Sequence, residues 1–102
     1  MTLRELLEGA TLELADVEVD QAPAGTTWSR AGRPFASLSP DGLTAEFELD
    51  VPVAAAATRT PDVTASPRGP GWVAFRPAVL DDHAGDRATA WFASAYRRLD
   101  RG

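Results

Sequence analysis

One stripe near the end of the chain limits what the rest can fold into. From Ala88, apolar residues fall at Trp91, Phe92, Ala95, Tyr96 and Leu99, the i, i+3, i+4, i+7, i+8, i+11 spacing of one helical face. At about 100° per residue these six cover an arc of roughly 140°. Asp86, Ala90, Ala93, Ser94, Arg97, Arg98 and Arg101 fill the other side. A helix from Asp82 to Arg101 with this stripe needs a matching apolar surface, because burying each large side chain contributes about 1.5–3 kcal/mol.

That surface is expected to be a sheet. Leu43, Ala45, Phe47, Leu49 and Val51 alternate with Thr44, Glu46, Glu48 and Asp50, which puts the apolar set on one face and the polar set on the other. One face is then buried and one wet, and Trp91, Phe92 and Leu99 should dock on the buried one. Upstream, Val17-Glu18-Val19 reads as a first strand, and Pro23 and Gly25 break the chain. Thr26–Arg30 and Arg33–Leu38 then read as a hairpin turned at Ala31-Gly32. Pro40-Asp41-Gly42 turns into the Leu43 strand, Pro fixing φ at the first corner and Gly taking the positive φ. Val63-Thr64-Ala65 and Gly71–Arg76 are two more strands, separated by a turn-rich loop from Ser66 to Gly71.

Helix signals frame these strands. Thr2 with Glu5 is a capping box for a helix over 3–9, whose Leu3, Leu6 and Leu7 need tertiary packing. Asp50 reads as the N-cap of a short helix from Pro52 to Arg59, and Asp81 or Asp82 caps the final helix. Arg97, Arg98 and Arg101 complement its dipole. The expected fold is α+β: a two-layer sandwich with an antiparallel sheet of about five to six strands and the N- and C-terminal helices on one face. At 102 residues, the chain is one domain, 1–102.

Composition removes several functions. There is no cysteine, hence no disulfide, thiolate nucleophile or Fe–S site. No apolar run approaches the roughly 18 residues of a membrane span. The acidic, amphipathic start lacks the basic and apolar blocks of a signal peptide, so a cytoplasmic location is expected. The net charge of −5 is concentrated in residues 1–20, where Glu5, Glu8, Glu13, Asp16, Glu18 and Asp20 face Arg4 alone. Such a balance disfavours phosphate backbones.

Three constellations carry chemistry. Asp81-Asp82-His83 with Asp86 surrounds the one histidine with carboxylates, as a metal site or acid–base pair would. The same residues are what an ordinary helix start carries, since the dipole favours anions there. The acidic N-terminal segment offers oxygen ligands to hard cations, but without defined ligand spacing; a solvated, solubilising face explains it equally. Arg30, Arg33, Arg68 and Arg76 lie on or beside the hairpins and the Ser66–Gly71 loop. If they converge they form an anion- or ligand-binding patch; otherwise they are surface arginines paired with Glu46, Glu48 or Asp50. Ser66-Pro67-Arg68-Gly69-Pro70-Gly71 is no phosphate loop, because it lacks the Lys and precedes a strand. Ser29, Ser37, Ser39, Ser66 and Ser94 lack a nucleophile elbow. No catalytic set, resident metal or cofactor is expected.

The succession Trp28-Ser29-Arg30-Ala31-Gly32-Arg33-Pro34-Phe35, the Leu43–Leu49 strand, Ser66-Pro67-Arg68-Gly69 with Trp72-Val73, and Ala90-Trp91-Phe92 with Ala95-Tyr96-Arg97 resembles the MmcQ/YjbR-like family. The resemblance covers roughly residues 24–99. A small luciferase-associated domain family has a similar order of strand, Gly-Trp-Val and terminal helix. The first resemblance implies a frataxin-like (CyaY-like) topology and a family often labelled as DNA-binding through a double-wing arrangement. The absence of Lys, and Glu46, Glu48 and Asp50 where a wing is expected, depart from that label. The reading at this stage is a non-enzymatic, monomeric binding module with an unidentified ligand or protein partner and no membrane attachment. Its alternatives are weak DNA binding through the hairpin arginines and divalent-metal (iron) binding on the acidic N-terminal segment.

Overall fold

The computed structural model describes residues 1–100. These form α1 (Leu3–Thr11), β1 (Val17–Ala22), β2 (Gly25–Arg30), β3 (Arg33–Leu38), β4 (Ala45–Glu48), α2 (Val51–Ala57), β5 (Val63–Ala65), β6 (Trp72–Phe75) and α3 (Asp82–Arg98). The strands make one six-stranded sheet in the order β1-β2-β3-β4-β6-β5, antiparallel at every pairing. The α+β, antiparallel architecture is thus the expected one. The Ala31-Gly32 turn is also as read, with positive φ at both residues (52° and 77°), the geometry that matches the twist of a two-residue hairpin.

Register sorts the side chains. Trp28, Ala36, Phe47 and Val73 stand opposite one another across β2, β3, β4 and β6, and so do Thr26, Leu38, Ala45, Phe75 and Val63 with β5 added. Opposed residues share a face. This face is apolar, and α3 lies on it through Phe92, which meets Trp28 and Phe35. The pairing of β2 with β3 shifts between Trp28 and Ser29, leaving Phe35 as the extra residue. A bulge of this kind bends the strand and re-aims a side chain; here Phe35 reaches both Phe92 and Tyr96.

The helices share that face. Leu3 and Leu7 of α1, Ala54 and Ala57 of α2, and Ala84, Ala88, Phe92, Ala95 and Tyr96 of α3 join the strand residues in one core. Thr2 and Glu5 form the reciprocal cap expected at α1, and Asp81 caps α3 by accepting from the Ala84 amide at 2.8 Å. Gly85 lets Leu6 approach closely: a Cβ there would stand 3.3 Å from Leu6 Cδ1.

Several boundaries differ from expectation. α1 continues past Gly9 to Thr11, whose hydroxyl donates to the Leu7 carbonyl. The alternating strand is shorter than its pattern. Leu43 is half exposed because its amide donates to the Asp41 carboxylate, which keeps it in the turn. Val51 is 61% exposed because Pro52 begins α2 there, and that helix ends at Ala57, short of Arg59. Asp50 occupies the N-cap position without a side-chain cap bond. Phe92, not Trp91, is the fully buried anchor; Trp91 and Leu99 are half-buried at the margin of the core. α3 ends at Arg98, and Arg101 lies outside the described residues. Among the described residues, no helix is long and apolar enough to cross a membrane.

Candidate functional site

With the helices on one face, the other face of the sheet carries small and polar side chains together with one aromatic, Trp72, opposite Glu48. Thr27, Ser37, Glu46, Ala74 and Thr64 form a row across it. Asp20 extends this row on β1, and Glu18 stands beside it opposite Ser29.

Glu46 is its centre. Alternation puts this residue on the wet face of β4 between buried Ala45 and Phe47. Its Oε1 accepts from the Ser37 hydroxyl at 3.0 Å and from Arg68 Nε at 2.8 Å, and its Oε2 accepts from the Ser66 hydroxyl. The Ser66 oxygen also accepts the Arg68 amide, and the Ser66 amide donates to the Trp72 carbonyl. Ser37 and Ser66 are both buried. Arg68 in turn lies over the Trp72 ring, 5.1 Å from its centroid. Burial by itself pushes the Glu46 carboxyl up, but the hydrogen bonds from Ser66, Arg68 and Ser37 outweigh it and hold the group below its ordinary value. Such a carboxylate stays ionised at neutral pH and makes a poor proton donor. Its role is to latch the β5–β6 loop onto β3 and β4. The alternation of β4 and the Ser-Pro-Arg opening of the loop place the ingredients, but not their convergence, in the sequence.

The four candidate arginines do not converge. Arg30 and Arg33 face each other across the β2–β3 turn. Arg30 donates to Asp100 at 2.5 Å and lies over the Tyr96 ring, 4.6 Å from its centroid. Arg33 is exposed, with no ion-pair partner among the described residues. Arg68 belongs to the Glu46 latch. Arg76, just past β6, donates to the Thr44 hydroxyl and stands 3.9 Å from Asp41. Glu48 and Asp50 are met by Arg98, a helix residue outside the candidate set, each at 3.4 Å. Of the four candidates, only Arg68 pairs with one of the expected acids, Glu46, while Arg30 pairs with Asp100 and Arg76 lies near Asp41 of the turn, and only Arg30 and Arg33 are brought together.

His83 is exposed in the first turn of α3, without a hydrogen bond or ion pair among the described residues. Among those residues, no three His, Cys, Asp or Glu side chains are grouped as a metal ion would require. A cleft of about 430 Å³ opens where α1 starts, between Leu3, Arg4, Asp41, Leu43 and Leu80. Arg4 there donates to the Thr26 hydroxyl, and Asp41 is held low by hydrogen bonds from Ser39 and the Leu43 amide. Comparison of the chain with models of known protein families, with characterised proteins and with solved structures finds no match.

Proposed function

We propose that this chain is a non-enzymatic module that binds a polypeptide partner through the surfaces its helices leave uncovered. The observation that carries this reading is the one-sided layering: α1, α2 and α3 share a single core with one face of the sheet. The opposite face offers Thr27, Ala74 and Thr64 around the Glu46 latch. Small side chains beside Trp72, with Arg68 over its ring, make a surface of the kind a protein partner can cover. Three of the four candidate arginines are matched by acids of the same chain, which weakens an anion-binding reading. Membership of the MmcQ/YjbR-like family, a cytoplasmic location and a monomeric state belong to the same proposal. Their support is the order of the motifs, the acidic start and the net charge.

DNA binding is the second reading, and the exposed, unmatched Arg33 beside Arg30 is the observation that favours it. An NMR titration of the labelled protein separates the two, using a mixed pool of short peptides in one series and a DNA duplex in the other. Shifts with the peptides, clustered on Thr27, Ser37, Ala74 or the sheet edge, are expected at physiological salt. Shifts with the duplex alone, centred on Arg30 and Arg33 and lost as salt rises, would put nucleic acid first.

A further inference from the structure

The outer edge of the sheet carries a more specific inference, which rests on the polypeptide-binding reading above. β1 is the terminal strand, so one side of its backbone has no neighbour in the sheet. Its six residues pair with β2 in unbroken register, and at about 3.3 Å per residue they present an edge roughly 20 Å long. The opposite edge, β5, has three residues. Natural edges are blunted by short strands, bulges, proline or charged side chains. Between Val17 and Ala22 this one is six residues long, unbulged and free of proline, and its charges are the carboxylates of Glu18 and Asp20.

The two sides of β1 differ. Val19 pairs with Trp28 and lies on the helix-bearing side, yet it is 47% exposed where Trp28 is 1%. The helix layer covers the start of β1, where Val17 packs against the core, but stops short of Val19, which with half-buried Val17 forms an apolar ledge. Glu18 and Asp20 project from the other side, next to Ser29 and Thr27, and Glu13 and Asp16 precede them with no intervening cation. A second copy of this chain is a poor occupant, because its own β1 would set carboxylates against carboxylates.

We infer that the outer edge of β1 takes an added strand from a polypeptide partner whose side chains alternate between basic and small apolar. Backbone hydrogen bonds hold such a strand. Its basic side chains lie against Glu18 and Asp20, and its apolar ones continue the ledge of Val17 and Val19. The alternation is the signature, because side chains of an extended segment point to opposite faces in turn.

The probe is a labelled peptide of alternating arginine and valine, about eight residues long, read by fluorescence anisotropy and NMR. Its control has the same composition with the arginines and valines in two blocks. The expected result is saturable binding to the alternating peptide, at least tenfold tighter than to the blocked one. Amide shifts and slowed hydrogen exchange should be confined to Val17–Ala22. The double variant E18K/D20K, exposed at both positions, should keep its fold by circular dichroism and lose at least tenfold in affinity. Equal binding of the two peptides, or no saturable binding, overturns the inference. Shifts centred on Thr27, Ser37 and Ala74 would also overturn it, while leaving the polypeptide-binding reading in place. Failure of every peptide in the mixed pool would remove that broader reading.

Discussion

Phe92 of α3 and Trp28 of β2 meet edge to face, with ring centroids 5.6 Å apart and planes at 89°. Aromatic pairs favour this geometry because the positive rim of one ring meets the negative face of the other. Phe35 approaches the same Phe92 ring at 5.3 Å, so one side chain joins the bulged hairpin to the long helix. Phe92→Ala should cost about 3–5 kcal/mol in urea unfolding, as should Phe47→Ala. Trp91→Ala should cost less, about 1–3 kcal/mol, because Trp91 remains partly in water at the margin of the core. A larger loss at Trp91 than at Phe92 would mean that the helix sits rotated from the position described.

The Glu46 latch makes stability depend on pH. Its folded-state carboxyl is held low, so the stabilisation is present above the pH at which an unfolded glutamate titrates. It is lost as pH falls below the ordinary glutamate range and through the lowered folded value. Glu46→Gln should cost about 1–2 kcal/mol at neutral pH. The gap between variant and parent should close on acidification. Thermal melts across that range check the sign; a gap that widens toward acid pH would contradict the latch.

Gly71 is constrained twice. Its φ is +83°, and a Cβ added there would lie 2.5 Å from the Leu49 carbonyl oxygen, in the place where the Leu49 amide donates to the Gly71 carbonyl. Gly71→Ala should therefore destabilise by about 2 kcal/mol or more. Gly32→Ala, also at positive φ but with open space around it, should cost about 1–2 kcal/mol. Equal losses in denaturant melts would show that the close approach relaxes freely.

Ala31 adopts φ of 52°, a conformation alanine takes at a cost and asparagine takes readily. Ala31→Asn should raise stability by about 0.5–1 kcal/mol. An unchanged or lower urea midpoint would indicate that the turn gains nothing from the better-suited residue.

The parts of the fold that were legible were those with a strong local cause. The Thr2 and Asp81 caps, the paired turn residues Ala31-Gly32 and the stripe on α3 all form as their spacing implies. Boundaries failed where a neighbouring group competed for the backbone: Asp41 takes the Leu43 amide, and Pro52 draws Val51 into a helix. Trp91 and Phe92 are adjacent on the stripe, so which one points at the centre of the sheet depends on how the helix is rolled. Spacing alone does not fix that angle. The candidate site was less legible because convergence is a tertiary property. Arg68 and Glu46 are 22 positions apart and meet only because β6 inserts between β4 and β5. No local signal distinguishes Arg68, locked in the latch, from Arg33, which is open.

The apolar face of the sheet is roofed by α3, which follows all six strands in the chain. During synthesis, Trp28, Phe35, Phe47 and Phe75 are all made before Phe92, and α1 waits for α3 before its Leu6 can settle against Gly85. Each nascent chain thus passes through an interval with a hydrophobic surface and no lid. Slow emergence of α3 would lengthen that interval and favour misassociation.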